Sequence, residues 1–285
     1  MSDHARVPSL LSIAGSDPSG GAGVQADLKT FSALGAYGMC AITALTAQNT
    51  TGVRGVSGVD PAFLGDQLEA VFDDVRVDAV KVGMVGGAAS VAVVADCIAR
   101  HRPPVVVVDP VMVAKSGDRL VGDEAVAMLR ERLLPLASLI TPNLPEAAVL
   151  LEAAREPGDR GSMEAAGRRL LELGVPAALV KGGHLAGEDV SDVLCEASGV
   201  TRFEARRVAT ANTHGTGCTL SSAIAALVPR ADSLAAAVGG ARWYLSRALE
   251  AADELAIGAG HGPVHHFADA WASDPARRWL ERPAR

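Results

Sequence analysis

A doubly wound α/β fold, with a mostly parallel central sheet and helices on both faces, is what this sequence predicts. Three observations lead there. Short apolar runs recur along the chain, among them SLLSIAG (9–15), DAVKVGM (78–84), PVVVVDP (104–110) and PAALVKGG (176–183). They lack the polar alternation of a half-solvated strand, so each reads as a strand buried on both faces. Between them lie helix-length stretches, which gives the alternation of a parallel sheet covered by helices. Finally, 49% hydrophobic residues over 285 positions supports a sizeable core. With no internal repeat or low-complexity linker, the chain reads as one domain over 1–285.

The elements follow in order. SLLSIAG is a strand closed by glycine, and GGAGVQADLKTFSALG (20–35) is a glycine-led helix. CAITALTAQ (40–48) is strand-like. DPAFLGDQLEAVFDDV (60–75) opens with Asp60 as N-cap and Pro61 at the first helical position. Two β-branched runs, 78–84 and 104–110, flank the Ala-rich stretch 87–101. The later half gives a strand at 138–143, a helix near 161–173, a strand at 176–183, two strands near 190–195 and 201–208, and helices from about 216 and 232. A loop is expected at 152–162.

Charge and cysteine usage remove several function classes. A net charge of −7 without a long basic stripe argues against a nucleic-acid partner. Cys40, Cys97, Cys195 and Cys218 are far apart with no CxxC pair, so neither a zinc knuckle nor a disulfide framework is expected. A reducing cytoplasm suits such a chain. The N-terminus is unlike a secretory signal, and no run approaches the roughly 18 apolar residues needed to cross a bilayer, so no membrane partner is expected.

In sheets of this kind ligands bind beyond the carboxyl ends of the strands. That rule singles out Asp17, Gln48, Met84, Asp109, Asn143 and Lys181. The junction ATANTHGTGCTLSS (209–222) adds Gly215, Thr216, Gly217 and Cys218 immediately before a helix. Backbone N–H groups there suit an anion; a plain strand-to-helix turn is the alternative. No P-loop motif is present, and GTGCTL lacks the third glycine of a dinucleotide fingerprint. At a helix N-terminus the Cys218 thiol is expected to ionise more readily than a free one. SDPSGGAG (16–23) leads into a helix carrying Asp27, where a carboxylate reaching a substrate competes with a surface Asp. Asn143 and Glu146 read equally as a capping box or as holders of Mg²⁺. Lys181, ending a buried strand, is suited to neutralising phosphate, whereas Lys115 reads as an exposed loop lysine. Gln48 has the donors and acceptor to read the edge of a heteroaromatic ring. His265 and His266 lack a third metal ligand nearby in sequence and read as surface or packing residues.

IAGSDPSGGAGVQADLKTFSALGAYG (13–38), ITALTAQNT (42–50), VKVGM (80–84), DPVMVAKSGD (109–118), LITPNLPEA (139–147), VKGGH (180–184), NTHGTGC (212–218) and GPVHHF (262–267) occur in that order. Together they resemble the hydroxymethylpyrimidine/phosphomethylpyrimidine kinases of thiamin synthesis, a branch of the ribokinase-like superfamily. The resemblance implies a ribokinase-like fold, ATP and Mg²⁺ as cofactors, and phosphoryl transfer to 4-amino-5-hydroxymethyl-2-methylpyrimidine and then to its monophosphate. It places Lys181, Asn143 and Thr216 against ATP, and Glu146 and Asp109 at Mg²⁺ with Asn143. Gln48 would hydrogen-bond the pyrimidine, Met84 and Val111 would line its apolar face, and Asp27 would contribute to the substrate side. Gly215, Gly217, Cys218 and Lys181 would form the catalytic group. Sugar kinases of the superfamily carry Asp where this chain has Cys218, which leaves the cysteine as base or anion-site residue. Relatives of this kind dimerise, so a homodimer is expected. Three further readings stay open: a pyridoxal or pyridoxine kinase, a cysteine hydrolase pairing Cys218 with His214, and a silent pyrimidine-binding regulator.

Overall fold

The computed structural model describes residues 6–112 and 122–273, so Lys115 lies outside the described residues. Strands β1 (Ser9–Ser16), β2 (Tyr37–Asn49), β3 (Gly52–Gly58), β4 (Ala79–Val82), β5 (Val106–Val108), β6 (Leu139–Ile140), β7 (Ala177–Lys181), β8 (Asp189–Glu196) and β9 (Gly199–Arg206) form one nine-stranded sheet, in the order β3-β2-β1-β4-β5-β6-β7-β8-β9. The six strands from β2 to β7 in that order are mutually parallel. β3 pairs antiparallel at one edge, and β8 and β9 do so at the other.

The α-helices among the described residues are α1 (Gly23–Ala33), α2 (Pro61–Phe72), α3 (Ala88–His101), α4 (Asp123–Met128), α5 (Leu144–Leu150), α6 (Arg160–Leu171), α7 (Thr216–Leu227), α8 (Leu234–Glu250) and α9 (Ala268–Trp271). The sheet separates two cores. Leu64, Leu68, Val91, Val94, Leu144 and Leu170 bring α2, α3, α5 and α6 against one face. Phe31, Leu220, Ile224, Val238 and Ala241 bring α1, α7 and α8 against the other. Because side chains alternate along a strand, β4 gives Val80 and Val82 to the first core and Ala79 to the second. Lys81 points to the same side as Ala79, into the α1–α7 layer.

Local rules account for the helix starts. Asp60 accepts from the amides of Ala62 at 2.9 Å and Phe63 at 3.3 Å, with Pro61 at the first position; such a cap contributes about 1 kcal/mol. Ser233 caps α8 through the Ala236 amide at 3.1 Å. The β2–β3 hairpin differs from the sequence reading, which ended the strand at 48 and did not expect β3. GVRGVSG is exposed along most of its length. Without a buried face it has no apolar signature to read.

Candidate active site

The carboxyl ends of β4, β5, β6 and β7 open onto the N-terminus of α7. Gly215 precedes that helix with φ +80°, and a Cβ there would stand 1.9 Å from the Gly21 carbonyl oxygen. Only glycine satisfies both conditions. α7 has no side-chain cap, so the amides of its first turn keep their hydrogen-bonding capacity for what lies beyond it. Thr216 begins the helix, and its amide makes only a long 3.4 Å contact to the Thr213 carbonyl.

Asp109 follows β5 and is 1% exposed. Its Oδ1 accepts from Lys181 Nζ at 2.6 Å and Thr141 Oγ1 at 2.9 Å, and Oδ2 accepts from Ser221 Oγ of α7 at 3.3 Å. Burial opposes its charge, but the ammonium groups of Lys181 and Lys81 hold its pKa below the usual carboxylate range. Lys181 is likewise disfavoured by burial and kept cationic by Asp109 and Glu146. A Cβ on Gly217 would lie 3.5 Å from both Asp109 Oδ2 and Lys181 Nζ. The ion pair therefore rests against the first turn of α7.

Asn143 and Glu146 form the capping box in full. Asn143 Oδ1 accepts the Glu146 amide at 2.9 Å, and Glu146 Oε2 accepts the Asn143 amide at 2.7 Å. Burial pushes the Glu146 carboxyl up to about 7; Lys181 opposes this, the Asp109 charge adds to it, and the Asn143 and Met112 amides oppose it.

Two expectations are corrected. Asp27 does not face a substrate: it is fully buried, with Lys81, Ser12 and Ser222 donating to its carboxylate. The Cys218 thiol is harder to ionise than a free one, not easier. Burial raises its pKa, Lys81 opposes, Asp27 and Asp109 raise it further, and the Gly23 amide donating to sulfur opposes weakly. The helix-terminus effect alone does not offset lost hydration flanked by two carboxylates.

Met84 packs against β1 and β2, and Gln48 lies near the end of β2. Thr43 Oγ1 donates to the Met84 carbonyl at 2.6 Å, and a Cβ on Gly15 would meet the Met84 methyl at 2.4 Å. Met84, Val111 and Gln48 are each half-buried. Gln48 Nε2 lies 3.4 Å from His214 Nε2, which in turn lies 2.8 Å from Asp17 Oδ2. Asp17 also accepts from the amides of Ser19, Gly21 and Ala22. Burial opposes its charge, yet His214 and Ser19 hold its pKa far below the usual range. Asp17 thus ties the 16–23 loop to the segment leading into α7. His214 Nε2 is engaged by Asp17 and Gln48. His265 and His266 are buried, and His266 contacts Thr219 Oγ1 at 3.1 Å; they are packing residues.

Among the described residues, no helix is long and apolar enough to cross a membrane. The phosphomethylpyrimidine kinase family model matches residues 17–265. The hydroxymethylpyrimidine/phosphomethylpyrimidine kinase of Escherichia coli K12 is 55% identical over 261 residues, covering 92% of this chain and 98% of that one. A phosphomethylpyrimidine kinase structure from Clostridium difficile 630 superposes with TM-score 0.75 at 40% identity, over 86% of this chain and 100% of the other. An ADP complex of Bacillus subtilis pyridoxal kinase superposes at 0.85 with 33% identity, over 93% and 100%. The ribokinase-like fold thus serves both ring substrates, and similarity of fold does not by itself separate them. Sequence identity does, and with the family match over most of its length this chain belongs to the phosphomethylpyrimidine kinase family.

Proposed function

We propose that this kinase transfers the γ-phosphoryl group of ATP to the hydroxymethyl oxygen of 4-amino-5-hydroxymethyl-2-methylpyrimidine, and then phosphorylates the monophosphate. The observation that carries this reading is the meeting of the uncapped α7 N-terminus with the Lys181–Asp109 pair at Gly217. Phosphoryl transfer asks for placement and charge stabilisation more than covalent chemistry. Amides of Gly215, Thr216, Gly217 and Cys218 would accept the spreading negative charge, and Lys181 would exchange its aspartate for phosphate oxygen.

Cys218, a neutral thiol in this environment, donates or accepts a hydrogen bond at the substrate hydroxyl instead of waiting as a thiolate base. A loose transition state needs little proton removal before the bond to phosphorus forms. Gln48 would read the ring edge while Met84 and Val111 enclose its faces.

Glu146 and Asp109 offer hard oxygen donors suited to Mg²⁺, and a bound cation would favour the charged form of the Glu146 carboxyl, which burial, with a smaller contribution from Asp109, pushes up to about 7. Bound there with Asn143 nearby, Mg²⁺ would supply charge neutralisation of the ATP phosphates. A homodimer of single-domain chains in the cytoplasm, without nucleic-acid or membrane partners, completes the reading.

Purified protein with ATP, Mg²⁺ and the pyrimidine alcohol, followed by mass, is expected to accumulate the monophosphate and then the diphosphate. Pyridoxal, run in parallel, is expected to give a lower kcat/KM. ATP-independent turnover, or preference for pyridoxal, would overturn the assignment.

A further inference from the structure

A second lysine–aspartate pair lies behind the α7 N-terminus. Lys81 is fully buried in β4, among Ala79, Val80 and Val82. Its Nζ donates to both oxygens of Asp27, each at 2.9 Å. Ser12, opposite Lys81 on β1, donates to Asp27 Oδ2 at 2.6 Å, and Ser222 of α7 donates to Oδ1 at 2.7 Å. A Cβ on Gly83 would stand 2.8 Å from Nζ, so the chain is pared back around the ammonium.

Stability alone is a poor reason for such a pair, because well-packed apolar residues of similar volume often serve as well or better. Its surroundings give another. Ser222 sits one helical turn beyond Cys218, on the same face of α7. The charged groups whose fields reach that sulfur are Lys81 from β4, Asp27 from α1 and Asp109 after β5, with Lys181 at the end of β7 coupled to it as well. Lys81 has the strongest field of the charged groups at Cys218 and opposes the two carboxylates.

We propose that Lys81, held by Asp27, is a positioning residue for Cys218: through Ser222 the pair fixes the first two turns of α7, and its ammonium places a permanent cation behind the sulfur. The catalytic consequence rests on the kinase reading above; the consequence for the thiol does not. Lys81 never touches substrate, being sealed in the core. It acts by setting where the α7 amides point and by the field it places on the Cys218 thiol.

The test uses the full chain with Lys81→Met and with the double variant Asp27→Asn/Lys81→Met, which removes both charges and leaves Ser222 an acceptor. Cys218 alkylation by iodoacetamide at pH 8, mapped by peptide mass, is expected to slow roughly tenfold in Lys81→Met, the scale on which loss of a neighbouring cation acts on a thiol. The double variant should slow less, since Asp27's opposing charge is gone too. In both, kcat is expected to fall about 10- to 100-fold while KM for ATP and pyrimidine stays within about twofold, the split of an effect confined to the transition state. A folded double variant with wild-type alkylation and wild-type kcat overturns the proposal. Ser222→Ala keeps both charges and decides the matter should the others fail to fold: several-fold lower kcat at unchanged KM supports the anchoring, and unchanged kcat overturns it. Should wild type fail to phosphorylate the pyrimidine, the kinase reading falls, yet the alkylation ratio still decides on Lys81.

Discussion

Lys181 with Asp109 and Lys81 with Asp27 are assembled from the same parts. Each has a lysine from a parallel strand, a buried aspartate, a serine from α7 and a hydroxyl from the neighbouring sheet region: Ser221 and Thr141 for the first, Ser222 and Ser12 for the second. What separates them is depth along the strand. Lys181 is the last residue of β7 and its side chain keeps 13% exposure, whereas Lys81 is one residue short of the end of β4 and keeps none. A lysine at the rim can trade its carboxylate for a ligand's phosphate. A lysine inside the sheet cannot, and its charge serves as a fixed part of the framework. One ion-pair design thus sits at the rim or inside the sheet according to one residue of register.

The comparison breaks first at Asp27. Asp27→Ala leaves an unpaired ammonium in the core and orphans Ser12 and Ser222, and removing one partner of a buried pair costs about 3–5 kcal/mol. Chemical denaturation of the variant should show that loss, with a lowered midpoint and little change in slope. A loss under about 1 kcal/mol would mean the pair is not framework. Next comes Lys181→Ala, expected to cost less stability than Asp27→Ala, because Thr141 and Ser221 still donate to Asp109 and the Lys81 ammonium still favours its charge. Its kcat should fall about 10²- to 10³-fold, the usual scale for one lost transition-state charge partner. If Lys181→Ala instead costs as much stability as Asp27→Ala while kcat stays near normal, the two lysines have the same role and depth teaches nothing.

How much of this was legible depends on sequence distance. The strands buried on both faces, the α2 cap and the Asn143–Glu146 box are visible because the signal is local: a run, or residues three apart. Gly215 through Cys218 and Lys181 are legible for the same reason, each marking a strand end or helix start. Lys81 is hidden inside VKVGM, where it reads as a break in an apolar run, and its partner lies 54 positions away. Asp17 and His214, 197 positions apart, meet only after the sheet forms. Cys218 shows the other failure. The local rule about helix N-termini was sound, but burial and the fields of Asp27 and Asp109 come from elements that no local window contains.

The finest discrimination between rim and interior comes from Glu146, which lies in the fields of Lys181 and Asp109. Its folded pKa of about 7 stands above the ordinary 4.5. Below about pH 4.5 both folded and unfolded chains hold this proton. Between there and 7 the folded chain binds more protons than the unfolded one, so Glu146's contribution to stability is lost as pH rises through that window. Glu146→Gln keeps an acceptor for the Asn143 amide and cannot ionise. Asp17 shifts in the opposite sense but is common to both proteins and cancels, while Asp109, whose charge acts on Glu146, is held below the ordinary carboxylate range and so titrates below this window. The variant's melting temperature relative to wild type is therefore expected to rise by roughly 2–6 °C between pH 5 and pH 8, as a kcal/mol or two translates for a domain of this size. A gap that stays constant across that range would show that Glu146 ionises like an exposed carboxylate. The burial that raises the Glu146 carboxyl would then not be realised in the folded chain.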